Sequence, residues 1–355
     1  MLKKILFTQL ALLFLSAAAG KETEAIVVKA GDAESLLAAI EQANRQNADS
    51  TSERLFVLIP NGTYDLGERT LTAINGHNIA IVGESMEGTV IRNKPRFENE
   101  GIGKTATLKN NGTNTYVQDI TLKNELDYYR VGDGGAGRAV CWQDKGNRSI
   151  LKRVRMLSYQ DTYYSDSETC QHYFEESEIH GTVDFICGAG DVWFSHCTIV
   201  TEKRNPDGSG YDVIAAPRTS ATTWGYVFDH CTIRSNVSPF TFARGWHTRP
   251  VCTWLHTRLE SPEKLRESRF DPKSLRSVDC AFLEYQTTDM AGNVISPKSN
   301  VVTFVKDELS RSAETIGTAE EAKRFTLENV FPDWKPGKIA RELSEQAAKM
   351  RATYL

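Results

Sequence analysis

The feature that most constrains the fold is a short segment that recurs along the chain in the same phase. The tetrapeptide HCTI ends two of these segments, at residues 199 and 233, and four others share its alternation of apolar and polar residues. Alternation with period two is typical of half-buried strands, so each segment predicts one short β-strand. The six segments are YVQDITL (116–122), LKRVRML (151–157), YFEESEI (173–179), WFSHCTI (193–199), VFDHCTI (227–233) and WLHTRLE (254–260).

The spacing of these segments predicts a solenoid. One residue of each falls at a common strand position, and the steps between those residues are 34, 23, 20, 34 and 26. Steps of roughly 20–25 residues with occasional insertions fit the coils of a parallel β-helix, in which equivalent side chains stack into interior ladders. A β-sandwich also has many short strands but does not explain HCTI recurring in register. We predict an all-β fold, a right-handed parallel β-helix, whose interior ladder contains Ile120, Val154, Ser177, Cys197, Cys231 and Thr257.

The two ends of the chain differ from its middle. Residues 33–47 have helical spacing and are expected to cover the N-terminal opening of the solenoid. Residues 318–349 are rich in Ala, Glu and Lys and predict helix around a WKPG turn at 334–337. The charged stretch 261–277 contains two prolines and predicts a long loop that borders a binding face.

The N-terminus has the features of a targeting segment. Lys3 and Lys4 precede an apolar run from Ile5 to Leu15 and then small residues, which predicts a signal peptide over residues 1–20. The alternative is a membrane anchor, but the run is short for a bilayer span. We expect residues 25–355 to form a single domain that is secreted or periplasmic and has no membrane contact after cleavage.

Charge and cysteine content exclude several functions. The formal net charge is −4 and no basic block is present, so nucleic acid is not an expected partner. The chain has seven cysteines, an odd number, and no CxxC pair, so neither zinc nor redox work is indicated. We interpret most of them as small buried apolar residues, with one or two disulfides as the alternative.

Two aspartates are spaced to form a reactive pair. Asp184 lies in the otherwise apolar run of HGTVDFICGAGD (180–191), and Asp161 lies about one coil earlier in SYQDTYY (158–164). Residues one coil apart in a β-helix are stacked neighbours on strands about 4.8 Å apart. Repulsion between two such carboxylates raises one pKa and leaves the other group ionised, a division that suits one acid and one nucleophile.

A cation for this pair is found further along the chain. Arg244 lies in the apolar and aromatic run FTFARGWHTRP (240–250), and a guanidinium can fork onto an ionised carboxylate. Trp246 follows two positions later and falls on the same strand face, where it would offer a platform for a sugar ring. The alternative is a packed tryptophan and a surface arginine.

In this order, SYQDTYY, GTVDFICG and ARGW resemble the motifs QDTLY, GTVDFIFG and GRPW of the pectin methylesterase (pectinesterase) family. Residues 26–92 and 320–336 also resemble the opening and the C-terminal motif of that family, so nearly all of the mature chain is covered. The resemblance implies the following roles: Asp184 nucleophile, Asp161 general acid and then base, Gln160 oxyanion donor, Arg244 orienting the nucleophile, and Trp246, Tyr164 and Phe185 contacting substrate.

Three residues depart from the family pattern. Arg138, in RAV, stands where the family usually has the glutamine of QAV. That glutamine is a second oxyanion donor in the family, and an arginine can donate a stronger hydrogen bond there. Its charge would also lower nearby carboxylate pKa values. Cys187 replaces an aromatic residue and Gly245 replaces a proline. These departures bear on substrate preference and pH optimum more than on the type of reaction.

The activity that the resemblance implies is hydrolysis of methyl-esterified galacturonate in pectin by a monomer without metal or cofactor. We interpret His172, His180, His196 and His230 as structural or surface residues. Two alternatives stay open. One is a glycoside hydrolase or lyase on the same fold, because paired acids also suit glycosidic cleavage. The other is a β-helix relative with altered ester or thioester specificity, or with carbohydrate binding only.

Overall fold

The computed structural model describes residues 25–96, 101–235 and 238–355. The predicted signal peptide (1–20) lies outside the described residues. Within the described ranges, no helix is both long enough and apolar enough to cross a bilayer.

The described chain is built mainly of short strands. In chain order these are β1 (Ala25–Val27), β2 (Leu55–Ile59), β3 (Gly62–Asp65), β4 (Thr72–Ile74), β5 (Ile79–Gly83), β6 (Thr89–Asn93), β7 (Leu108–Asn110), β8 (Tyr116–Asn124), β9 (Trp142–Asp144), β10 (Ser149–Leu157), β11 (Tyr163–Ser165), β12 (Gln171–Glu175), β13 (Glu178–Gly181), β14 (Val183–Gly188), β15 (Asp191–Ser195), β16 (Thr198–Thr201), β17 (Asp212–Pro217), β18 (Tyr226–Asp229), β19 (Thr232–Arg234), β20 (Phe240–Ala243), β21 (Val251–Leu255), β22 (Arg258–Leu259), β23 (Ala281–Tyr285), β24 (Thr288–Asp289), β25 (Val301–Lys306) and β26 (Leu309–Glu314).

Helices occur near both ends and in short connections. They are α1 (Ala33–Gln46), α2 (Tyr128–Val131), α3 (Ala319–Ala322), α4 (Leu327–Val330) and α5 (Pro336–Tyr354), with 3₁₀ turns at Ile102–Lys104 and Pro262–Lys264.

The strands stack in parallel ladders, which confirms the predicted β-helix. A seven-stranded sheet runs β4-β7-β9-β11-β14-β17-β20, and a 17-stranded sheet contains the other parallel strands. The larger sheet consists of two ladders that meet at a corner. Only β8 and β10 run unbroken through that corner and belong to both ladders.

The corner of the large sheet is turned by left-handed residues, and this corrects one prediction. Four of the six segments interpreted as single strands are each two strands separated by two residues, the first of which has positive φ. The physical reason is that one left-handed residue bends an extended chain sharply without extra loop length. The corner residues have φ of 49–55° and are Asp119, Arg153, Glu176, His196, His230, His256 and Gln286.

The residues that directly follow these corners form the predicted interior ladder. Ile120, Val154, Ser177, Cys197, Cys231 and Thr257 are all buried. Beside this ladder, aromatic rings stack from coil to coil. Phe194 lies 4.4 Å from Phe228, and Phe228 lies 3.8 Å from Trp254, measured between ring centroids.

The ends of the solenoid are covered in different ways. Leu36 and Ile40 of α1 join the interior core, as expected of an N-terminal cap. In contrast, α5 lies along the outer face of one ladder, where its buried stripe of Ala340, Leu343 and Ala347 packs. The WKPG motif begins this helix, since Pro336 is its first residue.

Two further predictions can be compared with the structure. Residues 261–277 contain only a 3₁₀ turn and irregular backbone, as predicted. All seven cysteines lie in the described residues, and each is buried and unpaired. The antiparallel hairpin β25–β26 was not predicted.

We expect the aromatic stack to make a large contribution to stability. Phe228→Ala should lower the free energy of unfolding by about 3–5 kcal/mol, because it leaves a cavity between two stacked rings. Urea titration of the parent and the variant measures this difference. Phe228→Leu is the matched control and should cost less, since it fills part of the cavity. A loss below about 1 kcal/mol for Phe228→Ala would contradict the interior stack.

Candidate active site

The two candidate acids lie one coil apart on the seven-stranded sheet. β11 pairs with β14 in the register Tyr163 to Ile186, and the same offset sets Asp161 beside Asp184. Both carboxylates are largely buried, at 5% and 7% residue exposure. The sequence spacing thus brings together the pair that it predicted.

Local backbone strain points both acids out of the ladder. Asp161 and Asp184 have φ of 58° and 50°, a left-handed conformation that is costly for residues other than glycine. The pairing of β14 with β17 also shifts register between Val183 and Ile186, and such bulges re-aim side chains near active sites. Strain of this kind is found at functional sites more often than elsewhere.

Arg244 forms a bidentate salt bridge with Asp184. Its Nε donates to Oδ1 at 2.8 Å and its Nη2 donates to Oδ2 at 2.5 Å. The bidentate fork fixes the orientation of both carboxylate oxygens. The backbone N–H of Arg244 donates to the Ala215 carbonyl at 3.0 Å, so β17 anchors the arginine.

Asp161 has the opposite environment. Burial, and then the charge of Asp184, raise its pKa well above 3.8, and the opposing effects of Arg138 and Arg244 do not cancel this. Arg138 Nε lies 3.7 Å from Asp161 Oδ2. The pair therefore has one carboxyl whose pKa is raised and one that is paired with a cation, an asymmetry that suits an acid and a nucleophile.

Gln160 and Arg138 are adjacent across one coil. They form a parallel bridge, and the N–H of Ala139 donates to the Gln160 carbonyl at 3.0 Å. Gln160 Oε1 accepts from the backbone N–H of Gly134 at 3.0 Å. Because that oxygen already accepts a hydrogen bond, the Nε2–H₂ group of Gln160 is the part of its side chain that can donate to a developing oxyanion.

These residues surround a small pocket. Its volume is about 90 Å³, and its walls include Ile102 and Leu275 besides Trp246, the two candidate acids and the two candidate oxyanion donors. Leu275 belongs to the loop 261–277, which therefore borders the site as predicted. Trp246 is half-buried, and its ring centroid lies 6.4 Å from that of Tyr164.

Phe185 does not line this pocket, which corrects its assignment as a substrate contact. Its side chain is fully buried in the interior core, and it packs so closely over Gly181 that a Cβ there would lie 2.2 Å from Phe185 Cβ. Phe185 and Ile186 both belong to the interior core, whereas Asp184 and Cys187 both line the pocket. The bulge at this point therefore interrupts the alternation of a regular strand.

Sequence reasoning missed two charged residues near Trp246 and Tyr164, namely Arg218 and Asp166. Arg218 lies 5.4 Å from the Trp246 ring centre, and its Nη2 lies 3.6 Å from Asp166. Asp166 also accepts from the Tyr164 hydroxyl at 2.6 Å. Strand alternation from Tyr164 could have indicated Asp166, whereas nothing in the sequence singled out Arg218.

The remaining departures from the family motifs are packed against the site. Cys187 Sγ lies 3.8 Å from Asp161 Oδ1, and burial keeps its thiol pKa well above the usual value. Gly245 lies under the 261–277 loop, where a Cβ would be 2.7 Å from the Ser277 carbonyl oxygen and 2.6 Å from Cys280 Sγ. A larger residue at 245 would displace that loop.

The fold and this site define a β-helix protein with a paired-carboxylate centre. The pectinesterase family model matches residues 25–253, and the chain belongs to the pectinesterase family.

In individual curated relatives, the matched segment covers less than half of the relative's own length. The chain is 26% identical over 227 residues to probable pectinesterase/pectinesterase inhibitor 42 of Arabidopsis thaliana, covering 63% of this chain and 41% of that protein. It is 29% identical over 190 residues to pectinesterase 1 of Solanum lycopersicum, covering 53% and 33%. The matched segments thus span well under half of these relatives.

Solved structures support the fold. The pectin methylesterase from carrot has a TM-score of 0.67 at 19% identity, covering 88% of this chain and 95% of that one. The pectin methylesterase from Erwinia chrysanthemi has a TM-score of 0.63 at 19% identity, covering 90% and 96%.

The raised pKa of Asp161 predicts a pH-dependent gain of stability in Asp161→Asn. The folded state holds this proton above pH 3.8 and the unfolded state does not, so the parent loses stability as pH rises from there through the folded pKa. The variant carries no such cost. Its thermal midpoint should exceed that of the parent by a margin that grows between pH 4 and neutral pH.

Scanning calorimetry across this pH range measures the margin. The matched control is Asp207→Asn, which changes an exposed carboxylate whose pKa is lowered by its hydrogen bonds with Ser209. It should give no gain. A constant or shrinking margin for Asp161→Asn would show that its carboxyl is not held protonated.

Proposed function

We propose that this protein hydrolyses the methyl esters of galacturonate units in pectin, releasing methanol and free carboxylate. The observation that carries the proposal is a pair of carboxylates one coil apart, in which Arg244 forks onto Asp184 and the buried Asp161 has a raised pKa. Membership of the pectinesterase family supports the substrate class.

Asp184 is the nucleophile in this proposal. One of its carboxylate oxygens attacks the ester carbonyl carbon and forms a tetrahedral intermediate. Arg244 stays bound to the carboxylate, so the attacking group is oriented before the substrate arrives. Collapse of the intermediate breaks the bond to the methoxy oxygen and leaves an anhydride between Asp184 and the galacturonate.

Asp161 moves the proton in both half-reactions. It first donates its proton to the departing methoxy oxygen, which leaves as methanol. The resulting carboxylate then takes a proton from a water molecule that attacks the anhydride. This second step releases the galacturonate carboxyl group and returns both aspartates to their starting states.

Gln160 and Arg138 donate hydrogen bonds to the oxyanion that develops on the ester carbonyl oxygen. Donors placed where negative charge develops are worth about 2.7–4 kcal/mol each in comparable enzymes. Arg138 adds a full positive charge, which would make its contribution larger than that of a neutral amide.

The pocket and the aromatic ring in its wall suit a methyl-esterified sugar. Trp246 lines the pocket and offers aromatic surface to a sugar ring, and the pocket volume of about 90 Å³ suits a small ester group. Tyr164 is buried, and its ring centroid lies 6.4 Å from that of Trp246. The reaction needs no metal or cofactor. We further propose that residues 25–355 act as a single monomeric domain after export to the periplasm or the medium.

Methanol release from highly methylated pectin tests the reaction. The parent should release methanol, and Asp184→Asn should reduce kcat by about 10³-fold or more, because it removes the nucleophile. Phe185→Leu is the control and should retain most activity, because its side chain faces the core. New reducing ends or unsaturated products would instead indicate a glycosidase or lyase, and no release from any pectin would indicate the altered-specificity relative.

Arg138, which stands where the family usually has a glutamine, should set the upper pH limit of activity. Arg138→Gln removes a charge that lowers the pKa of Asp161, so the proton is retained to higher pH. The alkaline limb of kcat/KM should therefore move upward in pH, measured by methanol release across pH 5–10. Arg234→Gln, which alters an exposed arginine paired with Glu260, should leave the limb in place. A downward shift in Arg138→Gln would contradict this arrangement.

A further inference from the structure

Three histidines stack at the corner of the large sheet. His196, His230 and His256 occupy corner positions of successive coils, with φ of 52°, 53° and 52°. The ring centroids of His196 and His230 lie 5.2 Å apart, and those of His230 and His256 lie 4.5 Å apart. These imidazoles are on a different sheet from the catalytic candidates and take no part in the proposed reaction.

A carboxylate lies against two of these rings. Asp229 Oδ1 is 2.7 Å from His230 Nδ1 and 3.5 Å from His256 Nδ1. The Nδ1 atom of His196 instead contacts the Ser195 hydroxyl at 3.0 Å. Among the described residues, Asp229, His230 and His256 are the one group of three such side chains whose ligand atoms all lie within 4.8 Å of one another.

We propose that Asp229, His230 and His256 bind a divalent transition-metal ion, with Zn²⁺ as the reference ion. Two imidazoles and one carboxylate are ligands that suit Zn²⁺, Ni²⁺ and Cu²⁺ rather than Mg²⁺ or Ca²⁺. A tetrahedral Zn²⁺ with bonds of about 2.0–2.1 Å places its ligand atoms about 3.3 Å apart. The two oxygen-to-nitrogen distances fall on either side of that value.

The backbone fixes the spacing of the ligands. Asp229 and Leu255 are paired residues of β18 and β21, and the N–H of His230 donates to the Leu255 carbonyl at 3.0 Å. The stacked ring planes of His230 and His256 are inclined by 26°, so binding requires at least one ring to turn until both Nδ1 lone pairs point at the ion. The half-exposed rings have room for this rotation. Water completes the coordination on the exposed side.

The bound ion would join two successive coils. His230 and His256 are separated in sequence by one coil, so the ion closes a loop that is otherwise held by backbone hydrogen bonds. An ion that binds only the folded state stabilises that state. The short-range spacing rules used for zinc motifs cannot detect such a site, because its ligands come from equivalent corners of different coils.

Isothermal titration of the EDTA-treated, dialysed protein with ZnCl₂ at pH 7.5 tests the proposal. We expect one Zn²⁺ per chain, and a loss of affinity of at least about tenfold in His230→Ala and in His256→Ala. His196→Ala is the matched control, since it removes a stacked ring outside the trio, and its affinity should stay within about threefold of the parent. Methanol release should be unchanged in all three variants.

Thermal unfolding provides an independent readout. Zn²⁺ in excess of its dissociation constant should raise the midpoint of the parent and of His196→Ala, but not that of His256→Ala. MgCl₂ should leave every midpoint unchanged. No Zn²⁺ binding by the parent, equal binding by the parent and the His230 and His256 variants, or an equal loss in His196→Ala would each overturn the proposal.

Discussion

The structure depends on the register in which each coil stacks on the one before it. Parallel strands about 4.8 Å apart convert a separation of one coil in sequence into side-chain contact. Phe228 meets Trp254 in the interior and Asp161 meets Asp184 in the pocket for this single reason. Insertions between coils lie mainly in the turns, since the steps between equivalent ladder positions differ in length along the chain. The register shift between Val183 and Ile186 is an exception within a ladder.

The same register imposes an electrostatic cost on the site. Two carboxylate charges about 4.8 Å apart repel by roughly 3–4 kcal/mol at an effective dielectric constant near 20. One retained proton would remove this cost. The bidentate fork of Arg244 lies on Asp184, whereas burial and the charge of Asp184 raise the pKa of Asp161. In the proposed mechanism, this asymmetry assigns the acid role to Asp161 and the nucleophile role to Asp184.

Much of this could be predicted because coil length is visible in the sequence. The separation of Asp161 from Asp184 by one coil, and the phase of the HCTI segments, give contacts directly once a β-helix is assumed. The αL corners were not predicted, because no glycine or asparagine marks them. Arg218 was missed because its contacts with Trp246 and Asp166 depend on loop geometry. The Phe185 assignment followed from residue type, and the bulge that turns both Phe185 and Ile186 into the core is not visible in the sequence.

Two buried aspartates show why partners, and not burial or backbone strain, identify a reactive group. Asp119 also has a left-handed backbone, with φ of 55°, and is 6% exposed. Burial raises the pKa of Asp119, but hydrogen bonds from Arg153, Gln118 and Arg351 outweigh it, and the net pKa lies below 3.8.

Asp161 has similar burial and backbone but fewer donors. Its nearest guanidinium, that of Arg138, is 3.7 Å away, and Asp184 opposes its ionisation. Asp119 therefore ties α5 to the solenoid through Arg351, whereas Asp161 has the raised pKa that its proposed acid–base role needs. The number of donors aimed at each carboxylate separates the structural acid from the acid proposed to react on the same scaffold.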